Sequence, residues 1–420
     1  MLALQHRGLF RMRYSAGMSH SCAVEVMLTV GVFAASLVRS HAATVQRGPT
    51  AGPDTLEQQL EKSLAKGAND QAAEELKVLL ARPDLTADLL LRAGNAFAQR
   101  ELYVQASRAF ARCARAHPDV FEGHYNLALA ELAQNHWTEA LSAIEAAPHG
   151  SDAEETARVY LRGKIESGLG QTELAIQDLS KAFERDPREE NFALDLGLVF
   201  LRSHKYSLAQ QIFTRGADLN PHSSYLLLGL ALAHFLGGTT KETIAISRRL
   251  LDFEPAFSPA RILLGFTLYM DGNLDDAQKV TAAGLHLPGP NPYLYYLDAA
   301  ILERQHSRES AHIFQDLAAA EKGIDGCALC YLVSGKVREA QGDWSAAASD
   351  FETAVRMTPD LSEAWYHLAS DYDRLGRTSD AARARERHNQ LRAGKEDRDR
   401  QMLQSAILGS IGEQESNSPR

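Results

Sequence analysis

A chain of 420 residues exceeds what one compact core accommodates, so it is built either from several domains or from repeats that lengthen without thickening. Its formal charge of −10, with 44 Lys and Arg interleaved among 54 Asp and Glu, excludes the clustered basic footprint of a nucleic-acid binder. Four cysteines over such a length make no disulfide framework.

At the amino end, Arg7, Arg11 and Arg13 precede an apolar stretch from Val26 to Val38 (VMLTVGVFAASLV), long enough for the apolar core of a signal peptide and short for a membrane span. Ser40-His41-Ala42 approximates the small-x-small pattern that a signal peptidase accepts, so residues 1–42 are expected to be a signal peptide cleaved after Ala42. Glu25 and Arg39 flank the apolar run and make an uncleaved membrane anchor the rival reading. Cys22 lacks the apolar lead of a lipoprotein signal. Residues 43–53 (ATVQRGPTAGP) read as a flexible linker, residues 54–395 as the folded part and residues 396–420, which end in ESNSPR, as a polar, partly disordered tail.

The folded part is rich in Ala, Leu, Glu, Gln and Arg, with short β-branched runs, which is an all-helical composition. Pro187, Pro221 and Pro255 recur at intervals of 34 residues, and Pro118 and Pro359 join the series if a loop carries an occasional extra residue. Each ends a helical pattern, as in KAFERDP (181–187) and ETAVRMTP (352–359), because proline cannot continue a helix. Small residues keep the same phase at Gly94, Ala128, Gly163, Gly197, Ala231, Gly265, Ala299, Gly335 and Ala369, and again at Ala106, Ala140, Ala175, Ala209, Ala277, Ala311, Ala347 and Ala381. Four positions after the second series come Phe110, Ile144, Leu179, Phe213 and Phe351. This is the arrangement of two helices approaching closely through small side chains, repeated along the chain.

The segments YNLALAELAQNHWTEAL (125–141) and LYMDGNLDDAQKV (268–280), with the turns QNHW, DGNL and QGDW, resemble the tetratricopeptide repeat over roughly residues 52–395. The resemblance implies an all-α superhelix of about ten helix-turn-helix units, beginning near residues 52, 87, 121, 156, 190, 224, 258, 292, 328 and 362. The first unit and the 224 unit, with Thr243 in place of alanine and Gly237-Gly238 in its turn, depart most from the pattern. Arg385 and His388 fill positions that are apolar or small elsewhere and mark the last helix as a polar cap.

In that family the first helices line a concave groove. Transferring its inward positions gives Tyr125, Leu129, Tyr160, Tyr225, Leu228, Leu232, Phe235, Ile262, Phe266, Tyr269, Tyr293 and Tyr296, followed by Glu303, Leu332, Lys336, Tyr366 and Asp373. An apolar, aromatic groove suits a peptide or protein partner with apolar anchors. The same positions also serve packing between adjacent first helices, and that reading stands beside the first. Arg92 and Asn95 are followed by Glu122 and Tyr125, so the family's clamp for a C-terminal carboxylate is incomplete.

Cys327 and Cys330 form a CxxC that reads as a redox pair, half a metal site or a local disulfide. No HExxH, phosphate loop or GxSxG occurs, so catalytic residues, a metal site and a cofactor are not expected. Function is expected to be that of a non-enzymatic, exported interaction scaffold of bacterial type. The alternative is a module of an envelope assembly or export machine, with contact to a membrane only through an uncleaved first segment.

Overall fold

The computed structural model describes residues 55–393, so the expected signal segment, linker and tail lie outside the described residues. The described residues form ten helical hairpins and no strand. In chain order these are α1 (Leu56–Ala65) with α2 (Asn69–Leu80), α3 (Ala87–Ala98) with α4 (Tyr103–Ala116), α5 (Phe121–Ala133) with α6 (Trp137–Glu145), and α7 (Asp152–Gly168) with α8 (Thr172–Arg185). Next come α9 (Glu190–Arg202) with α10 (Tyr206–Leu219), α11 (Ser224–Leu236) with α12 (Thr240–Phe253), and α13 (Ser258–Met270) with α14 (Leu274–Leu285). The last are α15 (Pro292–Arg304) with α16 (Ser310–Glu321), α17 (Ala328–Ala340) with α18 (Trp344–Met357), and α19 (Ser362–Arg374) with α20 (residues 378–393). The all-α fold of about ten hairpins is what the spacing implies.

Local chemistry sets the helix ends. Thr55 with Gln58, and Ser151 with Glu154, form capping boxes, and Thr86, Asn291 and Asp343 cap through their side-chain oxygens. The Ser151 box starts α7 four residues before the expected 156. Every turn inside a hairpin contains one left-handed residue that ends the first helix: Gly67, Glu101, Asn135, Gly170, His204, Gly238, Gly272, His306, Gly342 and Gly376. These residues stand 34 apart, widening once to 35 and once to 36, which is the repeat measured on the backbone.

The chain divides into two compact units whose described parts are residues 55–246 and 247–393, with the division inside α12. Within the first unit each first helix packs on the next, from α1 through α3, α5, α7 and α9 to α11; within the second, α13, α15, α17 and α19 do the same. The core of each unit is therefore a strip. In the first it runs from Leu60, Leu76, Leu90 and Phe110 to Ile144 and Ile165; in the second, from Ile301 and Leu317 to Phe351 and Leu368.

Inside the hairpins, a bare Cα meets a large side chain. A Cβ on Gly94 would lie 2.3 Å from the Phe110 ring, one on Gly197 2.4 Å from Phe213, and one on Gly335 2.5 Å from Phe351. Phe213 is held on two sides, since a Cβ on Gly229 of α11 would also come within 2.5 Å of its ring. Thr243 is fully buried in the alanine position and satisfies its hydroxyl on the carbonyls of Thr239 (3.1 Å) and Ala231 (3.4 Å). The eighth hairpin departs from expectation: Ala311 is exposed, and Ile313 takes the buried position, because α16 begins 18 residues after α15 where α4, α10, α14 and α18 begin 16 after their partners. The last helix is the polar cap expected, with Arg385 on Asp373 and His388 Nδ1 within 3.0 Å of the Ser362 carbonyl.

Two stability outcomes follow. Gly197→Ala gains helix propensity but drives its methyl into Phe213, so the net expectation is destabilisation by about 1–3 kcal/mol, against about 3–5 kcal/mol for Phe213→Ala, measured by urea unfolding. His306→Gly relieves a left-handed backbone (φ 53°) and is expected to stabilise, by about 0.5–1 kcal/mol in the same assay.

Candidate functional site

The first-helix surface of the first unit is built around Tyr160. Its ring, on α7, packs at 4.5 Å against Phe192 of α9, and its hydroxyl donates to Asp195 Oδ2 at 2.5 Å. Lys164, one turn on, pairs with the same Asp195 oxygen at 3.0 Å and lies 5.2 Å from the Tyr160 ring centroid. Burial, and then the Asp195 charge, push the Tyr160 phenol far above its ordinary range, so it stays a donor. Tyr125 of α5 stacks on Phe121 at 5.5 Å, and burial raises its phenol as well.

In the second unit the corresponding surface is threaded by charge. Arg304 at the end of α15 donates to the Tyr269 carbonyl at 2.7 Å and places its guanidinium 5.1 Å from the Tyr269 ring centroid, capping α13 while stacking on it. Lys336 of α17 bridges Glu303 of α15 (3.1 Å) and Glu363 of α19 (3.3 Å). Burial opposes the Lys336 charge, yet the two carboxylates outweigh it and its pKa is raised. Phe266 lies 6.3 Å from Tyr269, and Tyr269, Tyr295 and Tyr296 pack on the core formed by Ala299, Leu302, Val333 and Val337.

The residues named from the sequence fall into two sets. Tyr160, Leu228, Leu232 and Ile262 are buried, while Tyr225 is 39 % exposed and Tyr125, Leu129, Phe235, Phe266, Tyr269, Tyr293 and Tyr296 are half-buried. Sequence reasoning missed Lys164 and Asp195, although Lys164 stands one helical turn from Tyr160. It also missed Asp298, His312 and Asp316, whose donor atoms all lie within 4.8 Å of one another. The signal was an i,i+4 pair, His312 and Asp316, on one helix.

Cys327 and Cys330 are joined in a disulfide at the start of α17, and Cys113 is buried in the core. His117 has its Nε2 2.7 Å from the Leu85 carbonyl. On the second helices α2 and α4 of the first unit, Lys77, Arg108, Arg112 and Arg115 line an open hollow of about 610 Å³ together with Glu131. No helix among the described residues is long and apolar enough to cross a membrane.

Two buried carboxyls outside these surfaces make stability depend on pH. Burial, then the charge of Asp178, raises Glu166 to about 7, with Arg162 opposing. Burial, then the Glu339 carboxylate, raises Asp371 to about 7. Both carboxyls hold a proton in the folded chain up to about pH 7 but release it near pH 4 when unfolded. Their contribution is therefore full below about pH 4 and is lost as pH rises through about 7. Asp371→Asn, which keeps a donor toward Glu339, is expected to raise the melting temperature at pH 8 by about 2–4 °C per kcal/mol recovered and to change it little near pH 3, where the carboxyl is protonated in both states, by calorimetry.

The family models of the tetratricopeptide repeat match residues 91–154, 194–259 and 332–388, and residues 159–189. Among curated relatives, the human Superkiller complex protein 3 is 31 % identical over 104 residues, a quarter of this chain (25 %) and 7 % of its own length. The human Protein O-mannosyl-transferase TMTC1 is 24 % identical over 217 residues, 51 % of this chain and 24 % of its own. Tetratricopeptide repeat protein 8 of Caenorhabditis elegans is 24 % identical over 228 residues, 54 % of this chain and 44 % of its own. The chain thus spans less than half the length of these relatives. A tetratricopeptide repeat protein from Parabacteroides merdae superposes with a TM-score of 0.41 at 19 % identity, over 68 % of this chain and 98 % of that one. YrrB, described as a repeat protein with an unusual peptide-binding site, gives 0.36 at 12 % identity over 48 % of this chain and 96 % of its own. Proteins built from this repeat bind protein or peptide partners in general and are generally non-enzymatic scaffolds. With the family's models matching just over half of the chain, in four segments between residues 91 and 388, and ten hairpins among the described residues, this chain belongs to the tetratricopeptide repeat family.

Proposed function

We propose that the chain is a non-enzymatic scaffold that holds a peptide or protein partner along its first helices. The observation that carries this reading is the half-exposed aromatic rings on first helices in each unit, set among polar bonds that tie one first helix to the next: Tyr160 and Lys164 to Asp195, and Lys336 to Glu303 and Glu363. Aromatic rings bury much area at small entropic loss, and a surface fixed before binding loses little freedom on association. Within the residues named from the sequence, the buried Tyr160, Leu228, Leu232 and Ile262 support the surface from below, and Tyr125, Leu129, Tyr225, Phe235, Phe266, Tyr269, Tyr293 and Tyr296 are those a partner reaches. Export forms the second part of the proposal, supported by the basic, apolar and small-x-small succession in residues 1–42.

A photo-reactive phenylalanine at Tyr225 or Tyr293 on first helices, compared with Val104 (50 % exposed) and Leu208 (42 % exposed) on second helices, tests the surface in the native cell. Adducts are expected from the first-helix positions alone; equal adducts from Val104 and Leu208 sink the reading. Mass spectrometry of the isolated protein is expected to show a chain beginning at Ala43, and an intact Met1 on cytosolic protein removes the export claim.

A further inference from the structure

The eighth hairpin carries a cluster that neither the first-helix surface nor the packing uses. Asp298 comes from α15, and His312 and Asp316 lie one turn apart on α16. His312 Nε2 is 3.1 Å from Asp316 Oδ2 and 3.5 Å from Asp298 Oδ2. Both aspartates are only 5 % exposed, and Asp316 Oδ2 has no hydrogen-bond partner. The other ring nitrogen, Nδ1, faces Glu309 Oε2 at 3.8 Å. One imidazole nitrogen and two carboxylate oxygens thus converge around one point, and with the ring proton on Nδ1 all three would present lone pairs to it.

We propose that Asp298, His312 and Asp316 bind a divalent transition cation, zinc first among them, which clips the two helices of the eighth hairpin together. Two carboxylate oxygens and one imidazole nitrogen form a donor set suited to zinc, and separations of 3.1 and 3.5 Å bracket the edge of about 3.3 Å expected of a tetrahedron with metal–ligand bonds of about 2.0–2.1 Å. Glu309 lies behind the histidine, its Oε2 3.8 Å from Nδ1, where an approach by a few tenths of an ångström would let it accept from the ring. Three protein donors leave a fourth position for water, and the His312 side chain, 51 % exposed, leaves a path for entry.

The place in the fold gives the clip a purpose. This hairpin has the longest turn among the described residues and packs Ile313 where eight others place a buried alanine, so the contact that spaces the two helices elsewhere is changed here and a clip would tie them. Among the described residues no other group of three donors has its ligand atoms all within 4.8 Å of one another.

The test is titration of the full, untagged, metal-stripped chain with Zn2+ by calorimetry and with Co2+ by visible absorption. Cys22 is replaced by serine for the titration, and without reductant the remaining cysteines do not compete, since Cys327 and Cys330 are joined and Cys113 is buried. One equivalent is expected, with the visible bands of a low-coordinate cobalt site and a higher melting temperature on adding Zn2+. His312→Ala and Asp316→Asn are each expected to weaken binding at least tenfold, by about 10- to 100-fold. His312 is half-exposed, so its variant decides the matter if the buried aspartate variant does not fold by circular dichroism. Absence of a saturable equivalent, or binding unchanged by His312→Ala, overturns the site.

Discussion

The fold depends on one short-range contact, the approach of a large side chain on each second helix to a residue with little or no side chain on the first. Where a ring lies within 2.5 Å of the place a Cβ would occupy, as at Gly94, Gly197 and Gly335, two helix axes approach as closely as backbones allow. Such proximity gives each hairpin its dense interior. It also leaves the outer faces of both helices free to pack on the neighbouring hairpins, which is how a chain of this length avoids a single thick core. The left-handed residue at each turn serves the same contact by ending the first helix at a fixed distance from the small residue. Pairs such as Gly94 with Glu101, Gly197 with His204, and Gly335 with Gly342 keep one spacing.

The volumes at the contact are complementary along the chain. Glycine meets phenylalanine at Phe110, Phe213 and Phe351 and, at Gly163, Leu179, while alanine shares its core with aliphatic side chains, Ala128 with Ile144 and Ala299 with Leu317. The seventh hairpin has glycine and a buried threonine, Gly265 and Thr281, and its missing volume comes from outside: a Cβ on Gly265 would meet Leu297 of α15 at 2.8 Å. Each shortage is thus made good either across the hairpin or from the next first helix.

The fold was legible because each of these constraints leaves a mark on residue type. Proline after the second helix, glycine or alanine at the approach and a turn residue tolerant of left-handed φ recur in phase, and their agreement is stronger than any one of them. The surface was less legible because an aromatic residue on a first helix has two uses. Tyr160 is buried and Tyr225 is exposed, yet nothing in their local sequence separates them; Tyr160 is covered by Phe192 of the next first helix, a neighbour 32 residues away. The Asp298–His312–Asp316 cluster escaped for a different reason. A turn two residues longer moves α16 out of the phase of the other units, so Ala311 looked internal and the repeat's phase did not point to the face carrying His312 and Asp316.

The pairing of glycine with phenylalanine and of alanine with isoleucine or leucine also bears on how such a chain is remade over time. A first helix bearing Ala128 would collide with a second helix bearing Phe213, and one bearing Gly197 would leave a void beside Ile144. Helices therefore cannot be traded singly between repeats. The smallest piece that duplication or recombination can move without penalty is the whole hairpin, cut in the linkers between hairpins and never in the turn within one. Changes at the two contact positions are then expected to arise together in descent.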